Sequence, residues 1–484
     1  MIARTCPATT TLAGVWRAAL IALALVLAGC ASRPINEPIT RVDRAAGYRP
    51  PLMIQARKNN DPQTLFILSL SGGGTRAAAL SYGVLEELRR TEIVIDGQRR
   101  RLIDEVDIIT GVSGGSFTAL AYALYGDRLF SEYEERFLKR NVQGELVSRA
   151  LNPLNWWKFI GGSAGRSDFA ADYYDEILFE GATFGDLLEK SGPVAIATAT
   201  DLSTGARLAF YQSNFDLLCT DLDKVRLSRA AATSSAVPVV LSPVTFNNYG
   251  GTCGFEFPDF FKDAIKRERR NLSENHALQR YREMESLQNS KDRPFIHLVD
   301  GGVSDNTGAH AVFEALEQIG ANPGFREDIR FGAIRRVVLM IVNARSVPNT
   351  DWDRFESPPG TLVQILQASG VPIDHYSYET VETIKARVQY AKLRRELLVA
   401  QARLAGATEA EAEASLPNLR LNVIELELDA IRDPQERSKL MNLPTSFALP
   451  PEDVDRLRGA AVLLLRQSAD YDDLLRDLGG APAQ

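Results

Sequence analysis

The 484-residue sequence has little histidine and little cysteine, with four of each, and this scarcity argues against a metal centre. No histidine has a cysteine or acidic partner at the spacing of a metal site. Positive charge is not in excess either, because the formal net charge is −7 and the isoelectric point is about 5.5. We therefore expect no metal, no cofactor and no nucleic-acid partner, since nucleic-acid-binding domains are usually basic. The four histidines are His276, His297, His310 and His375.

The apolar run at residues 18–27 is too short to span a bilayer comfortably. Two arginines precede the run, as in a secretory signal peptide. It ends in Leu27-Ala28-Gly29-Cys30, which resembles a bacterial lipobox. The resemblance implies a lipoprotein signal peptide at residues 1–29 and a lipid on Cys30. A plain secretory signal and an uncleaved anchor are the alternatives.

The lipobox resemblance also implies a cell-envelope location. Alanine rather than aspartate follows Cys30, which favours the outer membrane, with the protein facing the periplasm. Once the signal is removed and Cys30 is lipidated, Cys219 and Cys253 remain. In an oxidising compartment two such thiols predict a disulfide, with two independent buried thiols as the alternative.

A strand, a glycine turn and a helix follow one another around Ser113. Residues 107–110 are apolar and strand-like, Gly111-Val112-Ser113-Gly114-Gly115 forms the turn, and helix-forming residues come next. This is the context of a nucleophile elbow, in which Gly111 and Gly115 let the strand and helix pass closely. We expect Ser113 to be a nucleophile. The alternative is a glycine-rich connection without chemistry.

A second glycine-rich turn follows the apolar strand at residues 64–70. Ser71-Gly72-Gly73-Gly74-Thr75-Arg76 precedes a predicted helix at residues 77–88, so several backbone N–H groups at the helix start are uncovered and can bind an anion. The turn lacks the Gly-Lys-Ser/Thr ending of a nucleotide-binding P-loop. With a candidate nucleophile downstream, an oxyanion hole formed by Gly72, Gly73 and Gly74 is the better interpretation, with Arg76 supporting either the loop or the developing charge.

A third pattern, at residues 295–302, ends a predicted strand in Asp300-Gly301-Gly302. A carboxylate at a strand end lies where parallel α/β sheets place their chemistry. Asp300 is therefore the candidate general base for Ser113. Because a carboxylate is a weak base for a hydroxyl, the pairing requires a desolvated site and a good oxyanion hole.

These three motifs, in this order, resemble those of the patatin-like phospholipase family over roughly residues 64–345. The resemblance implies an α/β three-layer fold with a parallel-rich central sheet and helices on both faces. It also implies ester hydrolysis of membrane lipids by a Ser113–Asp300 dyad. Residues 233–238 and 201–205 are similar to secondary motifs of the family. Two departures are modest: Ala77 replaces a glycine, and Gly302 stands where other members have alanine.

Two other functions remain open from the sequence. A serine esterase with a triad histidine is one, because His375 follows both Ser113 and Asp300, and His297 and His310 lie near Asp300. A non-catalytic envelope lipoprotein that keeps the fold for binding is the other. Loss of ester hydrolysis in Ser113→Ala would separate enzyme from binding protein.

The remaining segments suggest domain boundaries. Five prolines at residues 30–62 predict a tether. Residues 63–345 form the expected catalytic domain, with a helical insertion at 255–294 that either contacts a membrane or packs on its own domain. Residues 346–484 predict an α+β extension packed on that domain, and residues 335–344 a last major strand. Within the extension we expect helices at 380–406 and 451–478 and an edge strand at 419–428.

Overall fold

The computed structural model describes most of the chain. The described residues are 33–58, 60–154, 165–238, 240–258, 262, 272–310, 312, 333–347, 350–415 and 419–480. Residues 1–32, which include the predicted signal peptide and Cys30, lie outside them, as do residues 259–261 and 263–271 of the predicted insertion. None of the described helices combines the length and the apolar character that a bilayer crossing needs.

Strands and helices alternate through the first half of the chain. The strands are β1 (Thr64–Leu70), β2 (Glu92–Ile95), β3 (Gln98–Arg101), β4 (Val106–Gly111), β5 (Val194–Asp201), β6 (Arg207–Ala209), β7 (Val244–Asn247), β8 (Phe295–Asp300), β9 (Arg336–Asn343) and β10 (Arg420–Glu427). The helices are α1 (Pro50–Ala56), α2 (Gly74–Arg90), α3 (Gly114–Tyr125), α4 (Leu129–Tyr133), α5 (Val142–Leu151), α6 (Arg166–Tyr174), α7 (Phe184–Leu187), α8 (Gln212–Phe215), α9 (Leu227–Ser234), α10 (Leu272–Gln288), α11 (Gly302–Asp305), α12 (Thr361–Leu404), α13 (Glu409–Ala414), α14 (Pro434–Met441), α15 (Pro451–Gln467) and α16 (Ala469–Asp477).

The central sheet has the strand order β10-β9-β1-β4-β5-β8-β7, with β6 also paired to β5. The first five strands of this order are mutually parallel. Strands β8, β7 and β6 are antiparallel to their neighbours. Strands β2 and β3 form a separate hairpin. The sheet is therefore parallel-rich with one antiparallel flank, and the predicted fold class is confirmed.

Both faces of the sheet are buried, as expected for parallel strands covered by helices. On β1, Phe66 and Leu68 face one core cluster, together with residues of α2, α3, α9 and α15. Leu65 and Ile67 alternate to the other face and join a second cluster with Val381 of α12. The alternation gives three layers: helices, sheet and helices.

The C-terminal third is more integrated than an extension packed on a finished domain. Strand β10 adds to the sheet in parallel beside β9, so β9 is an interior strand and β10 is the predicted edge. Helix α12 begins at Thr361, well before the expected start at residue 380. The single helix expected at 451–478 is instead two helices, α15 and α16, separated at Ser468. The Ser468 side chain caps α16 by accepting a hydrogen bond from Tyr471 N. Helix α15 packs closely on α2, because a Cβ at Gly83 would lie 2.7 Å from Arg458 Cα.

The described part of the predicted tether is packed on the domain. Tyr48 is fully buried, and its hydroxyl accepts from Ala195 N (2.8 Å) and donates to Ala195 O (3.0 Å) on β5. Arg49 forms a buried salt bridge of 2.8 Å with Asp216. Proline content predicted a tether, but residues 33–58 form a strap, several of whose side chains have partners distant in sequence; Asn36, for example, donates to Thr220 Oγ1 at 2.7 Å.

Candidate active site

Ser113 lies on the sharp turn between β4 and α3. Its backbone has φ 47° and ψ −119°, a conformation that non-glycine residues rarely adopt and that stores strain of roughly 1–3 kcal/mol. The Ser113 N–H donates to the Ser234 hydroxyl at 2.9 Å. Its carbonyl accepts from the backbone N–H (3.0 Å) and the hydroxyl (2.6 Å) of Ser116. These bonds hold the strained turn, as a nucleophile elbow requires.

The motif glycines are sites of close backbone approach. A Cβ at Gly111 would lie 2.6 Å from Ser116 Cα, and one at Gly115 would lie 2.6 Å from Leu70 O. A Cβ at Gly301 would lie 2.4 Å from Thr198 O, and one at Gly302 would lie 3.1 Å from Asp300 Oδ1. A larger residue at the first three positions would push apart the elements that carry Ser113 and Asp300.

Asp300 ends β8, and its carboxyl interacts with the Ser113 side chain. Its Oδ1 also accepts from Gly302 N at 2.7 Å. Burial raises the pKa of Asp300 to about 6, and the hydrogen bonds from Gly302 N–H and the Ser113 hydroxyl oppose this rise. A carboxylate with such a pKa is a better proton acceptor than an ordinary aspartate.

The strand that carries Asp300 runs in the direction opposite to the one expected. Strand β8 is antiparallel to β5, with Asp300 paired to Ala199 and Leu298 to Asp201. Asp300 does lie near the carboxyl edge of the parallel strands, but not for the reason that the sequence suggested, because β8 is not one of those parallel strands. It reaches the level of Ser113 because β8 starts beyond that edge and descends beside β5.

The glycine-rich loop offers a different set of amides from the predicted one. Gly72 N–H donates to Asn306 O at 2.9 Å and is therefore occupied. In the described part of the chain, the N–H groups of Gly73 and Gly74 have no acceptor, and neither does the N–H of Gly114, the residue after Ser113. Gly74 and Gly114 touch, since a Cβ at Gly114 would lie 2.0 Å from Gly74 O. The geometry thus favours an anion site made by Gly73, Gly74 and Gly114 amides at the starts of two helices.

Arg76 is buried, with a relative exposure of 2%. Its guanidinium donates to Ala344 O at 2.8 Å, to Thr445 Oγ1 at 3.1 Å and to Leu443 O. These contacts support the glycine-rich loop from the side of the C-terminal third, which favours the loop-supporting alternative for Arg76.

Two residues without a predicted role lie in the site. Ser234 binds Ser113 N through its hydroxyl and Gly301 N through its carbonyl, so it links the two candidate catalytic turns. Asn306 O accepts from the Gly72 N–H, and the Asn306 side-chain oxygen would lie 2.3 Å from a Cβ on Gly72 and 2.8 Å from a Cβ on Gly302. The motif at residues 233–238 marks Ser234 but assigns it no function, and nothing in the sequence pattern marks Asn306.

The histidines of the triad alternative lie elsewhere or have other partners. His297 shares a 3.0 Å hydrogen bond between its Nδ1 and Thr245 Oγ1. His375 is exposed on α12. Asp300 interacts with the Ser113 side chain, and this placement favours it over His297 and His375 as base.

The structure also describes two of the four cysteines and the surroundings of the described metal-binding residue types. Cys219 and Cys253 are joined by a disulfide, with their Cα atoms 5.6 Å apart. Within the residues that the structure describes, no group of three histidine, cysteine or acidic side chains is arranged to hold a metal ion. Cys30 lies outside the described residues, so its lipidation stays a prediction.

A family model described as patatin-like phospholipase matches residues 68–313, just over half of the chain. The chain belongs to the patatin-like phospholipase family. The match contains all three glycine-rich motifs, including Ser113 and Asp300. No curated protein matches the sequence.

Several solved structures resemble this patatin-like chain weakly. Human GIVD cytosolic phospholipase A2 has 13% identity and a TM-score of 0.44, covering 89% of this chain and 64% of its own. VipD from Legionella pneumophila has 10% identity and a TM-score of 0.25, covering 89% and 71%. The type III effector ExoU has 12% identity and a TM-score of 0.23, covering 87% and 88%. The chain thus spans less than two thirds of the human enzyme, and these scores are too low to transfer any property of those proteins.

Proposed function

We propose that this patatin-like chain is a lipid acyl hydrolase that cleaves carboxylic esters of membrane lipids, acting as a phospholipase A or lysophospholipase. The observation that carries the proposal is the placement of Asp300 beside Ser113, on turns that Ser234 links by hydrogen bonds, next to three amides that have no acceptor among the described residues. Membership of the patatin-like phospholipase family supports the substrate class.

The proposed reaction has two halves. Ser113 Oγ attacks the ester carbonyl while its proton passes to Asp300, and the resulting oxyanion accepts hydrogen bonds from the Gly73, Gly74 and Gly114 amides. The C–O bond to the alcohol then breaks, and the leaving oxygen takes the proton from Asp300. In the second half Asp300 deprotonates water, which attacks the acyl-enzyme. The bond between the acyl carbon and Ser113 Oγ then breaks as Asp300 returns the proton to Oγ, which releases the fatty acid and restores both side chains.

The test compares wild type with Ser113→Ala and Asp300→Asn in fluorophosphonate labelling and in turnover of a chromogenic ester and of phospholipid vesicles. Ser81→Ala is a matched serine control, because the Ser81 hydroxyl is buried on α2 without a partner among the described residues. Asp107→Asn is a matched carboxylate control, because Asp107 is buried near the opposite end of β4 from Ser113.

We expect both control variants to label and turn over as wild type does. We expect Ser113→Ala to lose both activities, and Asp300→Asn to lose turnover. A folded wild type that neither labels nor hydrolyses any ester would favour the non-catalytic lipoprotein. Normal turnover in Asp300→Asn would move the base to another residue and revive the histidine triad.

We further propose that Cys30 carries a lipid that anchors the protein in the bacterial envelope. The Cys219–Cys253 disulfide supports an oxidising compartment. Arg33, three residues after Cys30, donates to Thr245 O at 3.2 Å and lies over the Phe295 ring at 5.3 Å. Three extended residues reach at most about 11 Å, so a lipid on Cys30 would stay close to this point.

The position of the proposed lipid on Cys30 affects how the protein would be oriented on the membrane. Phe295 starts β8 and lies roughly 16 Å along the strand from Asp300, at about 3.3 Å per residue, beyond the carboxyl edge of the parallel strands. A lipid on Cys30 would hold the catalytic edge toward the membrane. Cys30→Ser should release the protein from membranes. A glycine-serine insertion before Arg33 should keep attachment and soluble-ester turnover but slow hydrolysis of lipids in the same membrane; equal rates would contradict the orientation.

A further inference from the structure

The loop after α14 lies directly against the glycine-rich loop of the candidate site. We name residues 443–447 the C-terminal clamp. Thr75 N donates to Ser446 O at 2.8 Å, and three hydrogen bonds from Arg76 reach Leu443, Thr445 and the end of β9. The clamp therefore contacts the two residues that follow the three glycines.

The clamp also fixes the backbone of Gly74. This residue has φ +60°, and a Cβ on it would lie 2.4 Å from Ser446 O. On its other side the Gly74 carbonyl lies against Gly114, the first residue of α3. The Gly74 peptide is thus held between the nucleophile turn and the clamp, and its N–H direction depends on both.

The clamp is itself anchored in the core behind Ser113. The Phe447 ring lies 5.4 Å from the Phe117 ring of α3 and 6.2 Å from the Phe137 ring, measured between centroids. Its backbone N–H and C=O pair with the side chain and the backbone of Gln143 at 3.2 and 3.1 Å. The same helix that begins at the nucleophile turn therefore supports the clamp, which joins the two halves of the candidate oxyanion hole.

We infer that the C-terminal clamp is a positioning element of the oxyanion hole, acting through Arg76 and Gly74 rather than by touching substrate. The inference rests on the proposed hydrolase function. Small displacements of preorganised donors lower the rate of the chemical step more than they weaken substrate binding. Loss of a clamp contact should therefore lower kcat and leave KM nearly unchanged.

Thr445 provides the sharpest test. Thr445→Val removes the hydroxyl that accepts from Arg76 and keeps the side-chain shape, whereas Thr445→Ser keeps the hydroxyl. We expect Thr445→Val to lower kcat roughly 3- to 10-fold and Arg76→Met roughly 100-fold, within the range for loss of an oxyanion-hole donor. Thr445→Ser should restore most of the rate.

The matched control is Thr408→Val, which removes the hydroxyl that caps α13, away from the clamp. Exhaustive fluorophosphonate titration of each variant gives the fraction of active sites, so that kcat is expressed per active site. We expect Thr445→Val to keep a full titre, wild-type KM and the wild-type acid limb of the pH profile. Thr408→Val should lower the melting temperature without changing kcat.

The possible outcomes distinguish failure of the clamp inference from failure of the proposed hydrolase function. If wild type turns over and Thr445→Val matches it per active site, or if only its active fraction falls, the clamp is structural and the inference is overturned. If Thr445→Val and Thr445→Ser lose the same rate, the Arg76 contact is not the cause, which also overturns it. If folded wild type neither labels nor turns over, the proposed function fails, and the inference fails with it.

Discussion

The side chain of Ser113 interacts with the carboxyl of Asp300, which lies on an antiparallel strand separated from the strand of Ser113 by β5, and this interaction lowers the pKa of Asp300. Both residues are buried, each with a relative exposure of 6%. Desolvation makes the carboxylate a stronger base, and the strained turn at Ser113 presents the hydroxyl to it. The chemistry of this pair therefore depends on the packing around it.

The pH dependence of ester turnover should report Asp300. Because its pKa is raised to about 6 and only the carboxylate can accept the Ser113 proton, kcat/KM should fall as the pH drops through 6. The rate at pH 5 should be roughly one tenth of the plateau, by simple titration. A soluble ester assayed from pH 4.5 to 8 measures this limb. A loss of turnover centred near pH 4 would contradict a buried base. A loss centred near pH 7 that is altered by His375→Gln would favour the histidine triad.

Asp300→Asn should stabilise the fold while it abolishes turnover. The raised pKa means that the folded state binds the Asp300 proton more tightly than the unfolded state, so this aspartate costs stability as the pH rises from about 4 to 6. Asparagine removes that cost and can still accept from Gly302 N. The gain in free energy of unfolding should be absent near pH 4 and on the order of 2–3 kcal/mol above pH 6. Urea unfolding at the two pH values checks this.

The comparison for that measurement is Ser113→Ala, which removes activity but not the buried charge. It should show no such pH-dependent gain. If Asp300→Asn were destabilised equally at both pH values, the carboxylate would be a structural requirement rather than a strained functional group.

Gly114→Ala should inactivate the enzyme. A Cβ at this position would lie 2.0 Å from Gly74 O, so the glycine-rich loop must move away from the nucleophile turn. We expect a loss of at least about 100-fold in kcat, as for removal of an oxyanion-hole donor. Fluorophosphonate labelling rates and kcat measure the loss. The control is Gly459→Ala on α15, where a Cβ meets nothing within 4 Å and should add up to about 1 kcal/mol of stability. Wild-type labelling by Gly114→Ala would contradict the proposed amide set.

Reduction of the Cys219–Cys253 bond should loosen the N-terminal strap. The carbonyls of these two residues accept hydrogen bonds from Ile39 N (2.8 Å) and Val42 N (3.2 Å). Loss of the cross-link should lower the free energy of unfolding by about 2–4 kcal/mol and expose residues 39–42 to protease. Soluble-ester turnover well below the melting temperature should persist, because neither cysteine contacts Ser113 or Asp300.

Denaturation with and without reductant measures the effect of the disulfide, and the Cys219→Ser/Cys253→Ser double variant is the control, since reductant should not alter it. Identical unfolding midpoints for the oxidised and reduced wild type would contradict the prediction.

Local pattern determined much of the fold and the candidate site. The expected strands at residues 64–70 and 295–300 have the bounds of β1 and β8. The turn at Ser113 joins a strand to a helix as expected. Apolar runs bounded by glycine turns encode such elements within a few residues, because strand length, turn conformation and helix start depend on neighbouring residues.

Contacts between distant parts of the chain decided the rest. The direction of β8, the occupation of the Gly72 amide by Asn306, and the choice of loop support over charge support for Arg76 all depend on which backbone lies opposite. Proline content at residues 30–62 predicted a tether, but Tyr48 has its partner on β5. Hydrogen-bond partners of buried polar groups are set by packing, and no local pattern records them. The sequence by itself named the candidate reacting groups, whereas the tertiary structure alone determined which amides lie near them and which residues contact those amides.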